Sequence, residues 1–244
     1  QVTKAECLDL PRKIADWRGY KLSYTQREAY EQAKWEMLME MPVDEIDSYV
    51  IFKLFTALQQ IVSGFWNRQG QLQEFPHERL GILLDVIRDI PADAKVIIWC
   101  KFVYSVQAVA DALRAEYGPD SVALYYGKLN EQERDAELAR FRQSARFFVA
   151  TQSTGGHGLT LNEAHYVVFY ENGFKYSERL QAEDRCHRIG QTQPVTYIDI
   201  TAIDSIDERI RANLAKKGHL VRDFKRTVDA IKNDKRADVR KKLE

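Results

Sequence analysis

Gln181-Ala182-Glu183-Asp184-Arg185-Cys186-His187-Arg188-Ile189-Gly190-Gln191 is the stretch richest in groups that could do chemistry. Arg185 and Arg188 stand three apart, so on a helix they share a face and reach the same anion. Two guanidiniums aimed at one point suit the charge that develops on a transferring phosphoryl group. A finger of this kind is worth roughly 10³ to 10⁵ in rate, or about 4 to 7 kcal/mol. The same spacing also describes an exposed helix face with ion pairs, and composition alone favours that plainer description. A second segment, Thr151 to Ala164, reads T-Q-S-T-G-G-H-G-L-T-L-N-E-A. Gly155, Gly156 and Gly158 let backbone approach a ligand closely and expose N–H donors, and the hydroxyls of Thr151, Ser153 and Thr154 can bond phosphate oxygens. Tight turns need glycine too, so this loop alone decides little.

Both segments need a scaffold, and the pattern between Pro76 and about residue 203 supplies one. Short apolar runs alternate with helical patterns, as in a parallel sheet with crossover helices. The strands are expected at Val96 to Cys100, Val122 to Tyr126, Phe147 to Thr151, Tyr166 to Tyr170 and Val195 to Ile200. The helices are expected at His77 to Arg88, Val103 to Tyr117, Asn130 to Gln143 and Ser177 to Arg188. Val96-Ile97-Ile98-Trp99 is apolar on both faces and belongs in the middle of a covered sheet. The fold class that follows is α/β, a doubly wound and mostly parallel sheet, and such sheets bind ligands beyond the carboxyl ends of their strands.

Helical patterns flank this body. Residues 1–75 read as helical throughout. Ser23 and Gln26 have capping-box spacing ahead of a helix from about Thr25 to Met39, stopped by Pro42. Ile46, Val50, Leu54, Leu58 and Ile61 then form one stripe, widened by Phe55 and Val62 and stopped at Gly64. Beyond Asp204, Ile206, Ile210 and Leu214 recur every four residues before a break at Gly218. From Arg211 to Glu244 there are twelve Lys or Arg against five Asp or Glu, which suits phosphate contact and a solvated helix face equally.

Hydrophobic residues at 45% and charged residues at 30% describe an ordinary globular chain, and a formal net charge of zero means that any nucleic-acid contact must come from local patches. Cys7, Cys100 and Cys186 form no C-x-x-C pair, and Cys186 reads as packing because no flanking base is evident. The five histidines are dispersed, so no metal site is expected among them. Trp17, Trp35, Trp66 and Trp99 read as core or lobe contacts. No 18-residue apolar run and no signal-peptide pattern occurs, so neither membrane nor secretion is expected. The first residue is Gln, which suggests a piece of a longer protein.

With these residues in view, the chain resembles the C-terminal RecA-like lobe of the Swi/Snf group of superfamily-two helicases. Gln181 to Gln191 is similar to that group's sixth motif and Thr151 to Ala164 to its fifth. Val96 to Phe102, with Cys100 followed by Lys101, resembles the fourth. Tyr126-Gly127, Arg134 and Phe141 match the motif that opens the next helix. Asp204 to Leu214 resembles the closing brace helix, and Leu22 to Tyr30 the segment leaving the first lobe. The resemblance implies that Arg185 and Arg188 face ATP bound to the other lobe, with Arg188 the better candidate for the finger at the γ-phosphate. Gln181 and Asp184 would order that face, and Gly156 and Gly158 would let the fifth-motif loop reach between nucleotide and DNA. Lys101, Gly127, Thr151 and Gln152 would lie along the phosphates of the tracked strand. Three departures stand out: Ser153 where the group often has Arg, Thr160 where it has Asn, and Phe174-Lys175-Tyr176 where it has Trp-Asn-Pro.

The resemblance divides the chain into residues 1–75, a helical link from the first lobe, residues 76–203, the lobe itself, and residues 204–244, a brace helix and basic tail. It implies a DNA-dependent ATPase that translocates on double-stranded DNA, with DNA-bound proteins as further targets and the N-terminal RecA-like lobe as intramolecular partner. No G-x-x-x-x-G-K-[ST] loop and no Asp-Glu-x-His segment occurs, so ATP and Mg²⁺ are expected on that other lobe and this chain alone is expected to lack turnover. A non-catalytic lobe that docks on DNA or protein is the alternative. A dinucleotide enzyme would need G-x-G-x-x-G and an acidic ribose-binding residue at a strand end, and neither is present. The expected location is intracellular, cytoplasmic in a bacterium or phage and nuclear in a eukaryote.

Overall fold

Six strands alternate with helices to build the body of the protein, and their order follows from which runs are apolar on both faces. The structure, a computed structural model, describes residues 10–36, 45–154 and 159–233. In chain order these form β1 (Lys13–Tyr20), α1 (Tyr24–Lys34), α2 (Ser48–Val62), β2 (Phe65–Arg68), β3 (Gln71–Glu74), α3 (Arg79–Asp89), β4 (Lys95–Cys100) and α4 (Val103–Tyr117). They continue with β5 (Val122–Tyr125), α5 (Glu131–Gln143), β6 (Phe147–Thr151), β7 (Ala164–Phe169), α6 (Tyr176–Glu183), β8 (Val195–Ala202), α7 (Ile206–Ala215) and α8 (Leu220–Asn233). The large sheet runs β1-β8-β7-β4-β6-β5, and the pairings β8–β7, β7–β4, β4–β6 and β6–β5 are parallel.

Strand alternation sends Ile97, Trp99, Phe148, Ala150, Val167, Phe169, Val195 and Tyr197 into one core with Phe141 of α5 and Ala182 of α6. Val96, Ile98, Phe147, Val149 and Val168, on the opposite face, are buried too, and α4 packs on β4, β5 and β6. Burial on both faces is what a doubly wound sheet requires. The five expected strands are therefore present, with ends displaced by no more than two residues.

By contact the chain divides into two units, one of residues 1–20, 79–173 and 177–201, the other of residues 21–78, 174–176 and 202–244. In the second unit Ser23 caps α1 with the full capping box to Gln26. The Gln26 amide donates to Ile61 O at 2.7 Å and Val62 O at 3.1 Å, closing carbonyls at the end of α2. The α2 stripe is buried as read, except that Val50 is only half covered and Ile51 takes a core place. Gly64 ends the helix at φ +92°, and a Cβ there would lie 2.0 Å from His77 Cδ2. Ile206, Ile210 and Leu214 are buried along α7 as expected.

The helical reading of residues 1–75 is corrected in two places. Lys13–Tyr20 is a strand on the sheet edge, whose exposure alternates without a buried residue until Tyr20, so the sequence shows no apolar period of two. Phe65–Arg68 and Gln71–Glu74 form a hairpin closed by Gln69 at φ 52° and Gly70 at φ 88°. Two left-handed residues make a type I′ turn, and Gln in place of the usual Asn hides it. The expected helix end at Met39, Pro42, Cys7, and the last part of the basic tail lie outside the described residues.

One residue, through its carboxylate and its backbone carbonyl, links three strand ends of the sheet. Glu171, just past β7 and 1% exposed, accepts from Lys101 N–H at 2.7 Å, Phe102 N–H at 3.2 Å and Ser105 Oγ at 2.5 Å. Phe102, the N-cap of α4, has no side-chain cap of its own, and Glu171 closes the N–H groups that lead into the helix and the hydroxyl of Ser105 in its first turn. Gln152, just past β6, donates Nε2 to Glu171 O at 3.2 Å and accepts from Gly173 N–H at 3.0 Å. Removing the carboxylate leaves buried donors unpaired at about 1–3 kcal/mol. We predict that Glu171→Ala lowers the unfolding free energy by about 3 kcal/mol and Glu171→Gln, which keeps an acceptor, by less than half of that. Urea denaturation measures both, and an undiminished Glu171→Ala protein would refute this role. A second prediction concerns Cys186, fully buried, whose thiol burial pushes up to about 11. At pH 8 the peptide that carries it should alkylate far more slowly in the native protein than after unfolding.

Candidate functional site

Helix α6 ends at Glu183, earlier than the expected Arg188. The cause lies in where the next carbonyls go. Arg185 O accepts from Leu161 N–H at 2.9 Å, and Ile189 O accepts from Asn162 Nδ2 at 2.9 Å. Cys186 O accepts from Gln191 Nε2 at 3.3 Å, an amide that also reaches Asn162 O and Ala164 O. Carbonyls bonded sideways cannot continue a helical ladder. Cys186 itself turns into the core, its Sγ 3.6 Å from Tyr197 Oη.

The two arginines nevertheless converge. Arg185 Nη1 and Arg188 Nη1 each lie 3.5 Å from Leu159 O, a long contact, and Arg188 Nη1 donates to Thr160 Oγ1 at 2.9 Å. The shared face inferred from helical spacing is thus produced by a loop. Burial, and next to it the charge of Arg188, draw the Arg185 guanidinium below its ordinary value while Asp184 opposes them. Arginine stays charged all the same, so the pair is a concentrated positive patch at Leu159 and Thr160. Gln181 is exposed on α6 and Asp184 is half-buried. Gly156 and Gly158 lie outside the described residues.

A second group gathers beyond the carboxyl ends of β4, β5 and β6. Thr151 Oγ1 donates to Thr154 Oγ1 at 2.9 Å, and a Cβ on Gly127 would lie 3.7 Å from that same Thr154 oxygen. Gly127 O accepts from Arg134 Nη2 at 3.3 Å. Lys101 gives its backbone N–H to Glu171, and its Nζ is 5.4 Å from the Phe102 ring centre. Thr151 and Gln152 are buried, with side chains engaged inside the protein, so the backbone and the exposed Gly127–Lys128 turn are what this end offers a phosphate. Thr154 and Leu159 are five residues apart, so chain reach holds the two groups within about 18 Å of each other.

The sequence reading missed four residues here. Lys128 is a plain surface lysine in sequence. Thr160 was legible only as a departure from a motif. His187 and Glu171 act through partners 176 and up to 70 residues away, which no local pattern reveals.

Residues 78–190 match the model of the helicase conserved C-terminal domain. An uncharacterized ATP-dependent helicase of Mycoplasma pneumoniae is 26% identical over 224 residues, which cover 90% of this chain and 21% of the relative. The chain therefore spans about a fifth of that relative's length. In fold it is similar to the Sulfolobus solfataricus SWI2/SNF2 ATPase core in complex with dsDNA, with a TM-score of 0.70 and 24% identity over 88% of this chain and 46% of that one. The C-terminal domain of the Sulfolobus solfataricus SWI2/SNF2 ATPase gives a TM-score of 0.64 at 21% identity, covering 84% of this chain and 86% of that one. Motif content, sheet order and these matches agree: residues 78–190 carry a helicase conserved C-terminal domain, and the chain is similar in fold to the C-terminal lobe of SWI2/SNF2 ATPases.

Proposed function

We propose that this chain is the half of a DNA-dependent ATPase that completes the active site and follows the DNA backbone, in a protein that translocates on duplex DNA without needing to separate its strands. The observation that carries the reading is the convergence of Arg185 and Arg188 on Leu159 and Thr160. Two like charges at one point weaken a fold unless an anion is to be received there. A triphosphate bound to the partner lobe supplies that anion, with Arg188 at the γ-phosphate and Arg185 beside it. The glycines at 155, 156 and 158 leave room for backbone to approach.

The residues present suit the anion and not its metal. Among the described residues no group of three His, Cys, Asp or Glu could hold an ion, so Mg²⁺ would be held mainly by the partner lobe. On the DNA side, the strand ends at Lys101, Gly127, Thr151 and Gln152 face the phosphates, with Lys128 and Arg134 adding charge. Lobe closure would then bring Arg185 and Arg188 onto the nucleotide, and cycles of closure would step the protein along the strand.

Two outcomes are expected. Arg188→Lys in the complete protein keeps the charge but loses the planar fork, and should lower DNA-stimulated turnover by about 10³ or more with duplex affinity and its salt dependence unchanged. Unaltered turnover would leave a non-catalytic docking lobe as the better reading. The chain by itself should release no phosphate from ATP above background with or without duplex DNA, and stimulated release would refute the division of labour.

A further inference from the structure

The segment that carries the arginine pair is held from two sides. On one side Arg185 O, Ile189 O and the Gln191 amide are bonded to residues 161–164. On the other it is tied to the residues that lead into β1. His187, next to Arg188, places Nε2 2.7 Å from Pro11 O. A carbonyl oxygen only accepts, so Nε2 carries the proton in this contact. Two residues on, Lys13 Nζ donates to Glu183 at 2.8 Å, and between them Arg12 O accepts from Val195 N–H at 3.1 Å. Glu183 is fixed further by Arg179 at 2.8 Å.

Because α6 stops at Glu183, only single backbone bonds such as His187 N–H to Glu183 O at 3.2 Å continue past it, and they do not fix residues 188–190. Their orientation comes from these anchors, and the anchor nearest Arg188 is the imidazole one residue before it. We infer that His187 is a positioning residue for Arg188, and that Pro11, Lys13, Glu183 and His187 form a latch that ties the orientation of the arginine pair to the strand by which the chain enters the sheet. This rests on Arg188 acting at the nucleotide. A displacement of the residues ahead of β1 then reaches the arginines through one hydrogen bond and one ion pair, without passing through the glycine loop. Of the two ties the hydrogen bond contributes more, because the Lys13–Glu183 pair is partly exposed and screened.

The chemistry of the tie selects the variants. Gln puts an amide N–H at the ε position and can still donate to Pro11 O. Asn is shorter and cannot, and Leu removes the donor. In the complete protein His187→Leu and His187→Asn should each lower the kcat of DNA-stimulated ATP hydrolysis by about tenfold, the equivalent of one misplaced hydrogen-bonded contact. The KM for duplex DNA should stay within about twofold, and His187→Gln should return kcat to within about threefold of the parent. If His187→Leu fails to fold, His187→Asn carries the test, with thermal melting of each variant alongside. Parental kcat in His187→Asn, or a His187→Gln protein as slow as His187→Asn, overturns the latch. Arg188→Lys is assayed in parallel: loss of turnover there with parental kcat in His187→Asn overturns the latch alone, and parental turnover in Arg188→Lys overturns the reading on which it rests.

Discussion

Two guanidiniums directed at one carbonyl oxygen repel one another, and the fold around Leu159 has to hold them there at a cost to its own stability. The restraint is built from polar contacts whose geometry is narrow. Gln191, 7% exposed, uses one amide group on three carbonyls, and its Oε1 accepts from the backbone of Thr192 and Gln193. Cys186 anchors the same turn in the core beneath Tyr197. A helix would have given the arginines their relative positions more cheaply, but its carbonyls would be closed in a ladder. The irregular turn instead turns them outward to the loop that precedes β7, so the segment with the arginine pair is bonded to that loop.

The same requirement, that every buried polar group find a partner, shapes the other end of the site. Parallel strands end in N–H groups that no neighbouring strand completes. In an anion-binding protein a ligand could satisfy them. Here Glu171 already takes those of Lys101 and Phe102, and Gln152 ties Glu171 to Gly173. The strand ends are thereby hydrogen-bonded within the protein before any ligand arrives, as pre-organisation of the contacts proposed for them requires.

What was legible in the sequence was whatever is local and repeats. Val96 to Cys100 announces a central strand because both faces are apolar, and Ser23 with Gln26 announces a helix start because the two side chains answer each other three residues apart. The arginine pair was found by spacing, yet for a reason the fold does not use, since a turn and not α6 brings the guanidiniums together. β1 was invisible because an edge strand with alternating half-exposed residues has no contrast to display. The hairpin at Gln69-Gly70 was hidden by an unusual turn residue. His187 and Glu171 depend on pairings across the whole sheet, and such pairings exist only once the topology does.

The departures from the group's motifs become intelligible in the same terms. Thr160 stands where the resemblance has Asn, and its hydroxyl oxygen accepts from Arg188 at 2.9 Å. An amide oxygen and a hydroxyl oxygen are both acceptors for a guanidinium, so the substitution keeps the one property that this contact needs. Phe174 stands where the resemblance has Trp. It is 5% exposed and meets Phe52 and Phe55 edge to face at 5.8 and 6.0 Å, a role any large aromatic can fill and one in which an indole N–H would want a partner. Both replacements preserve a physical requirement while changing a letter. A motif is therefore better read as a set of requirements, here an acceptor for Arg188 and an aromatic core contact, than as a string of residue names.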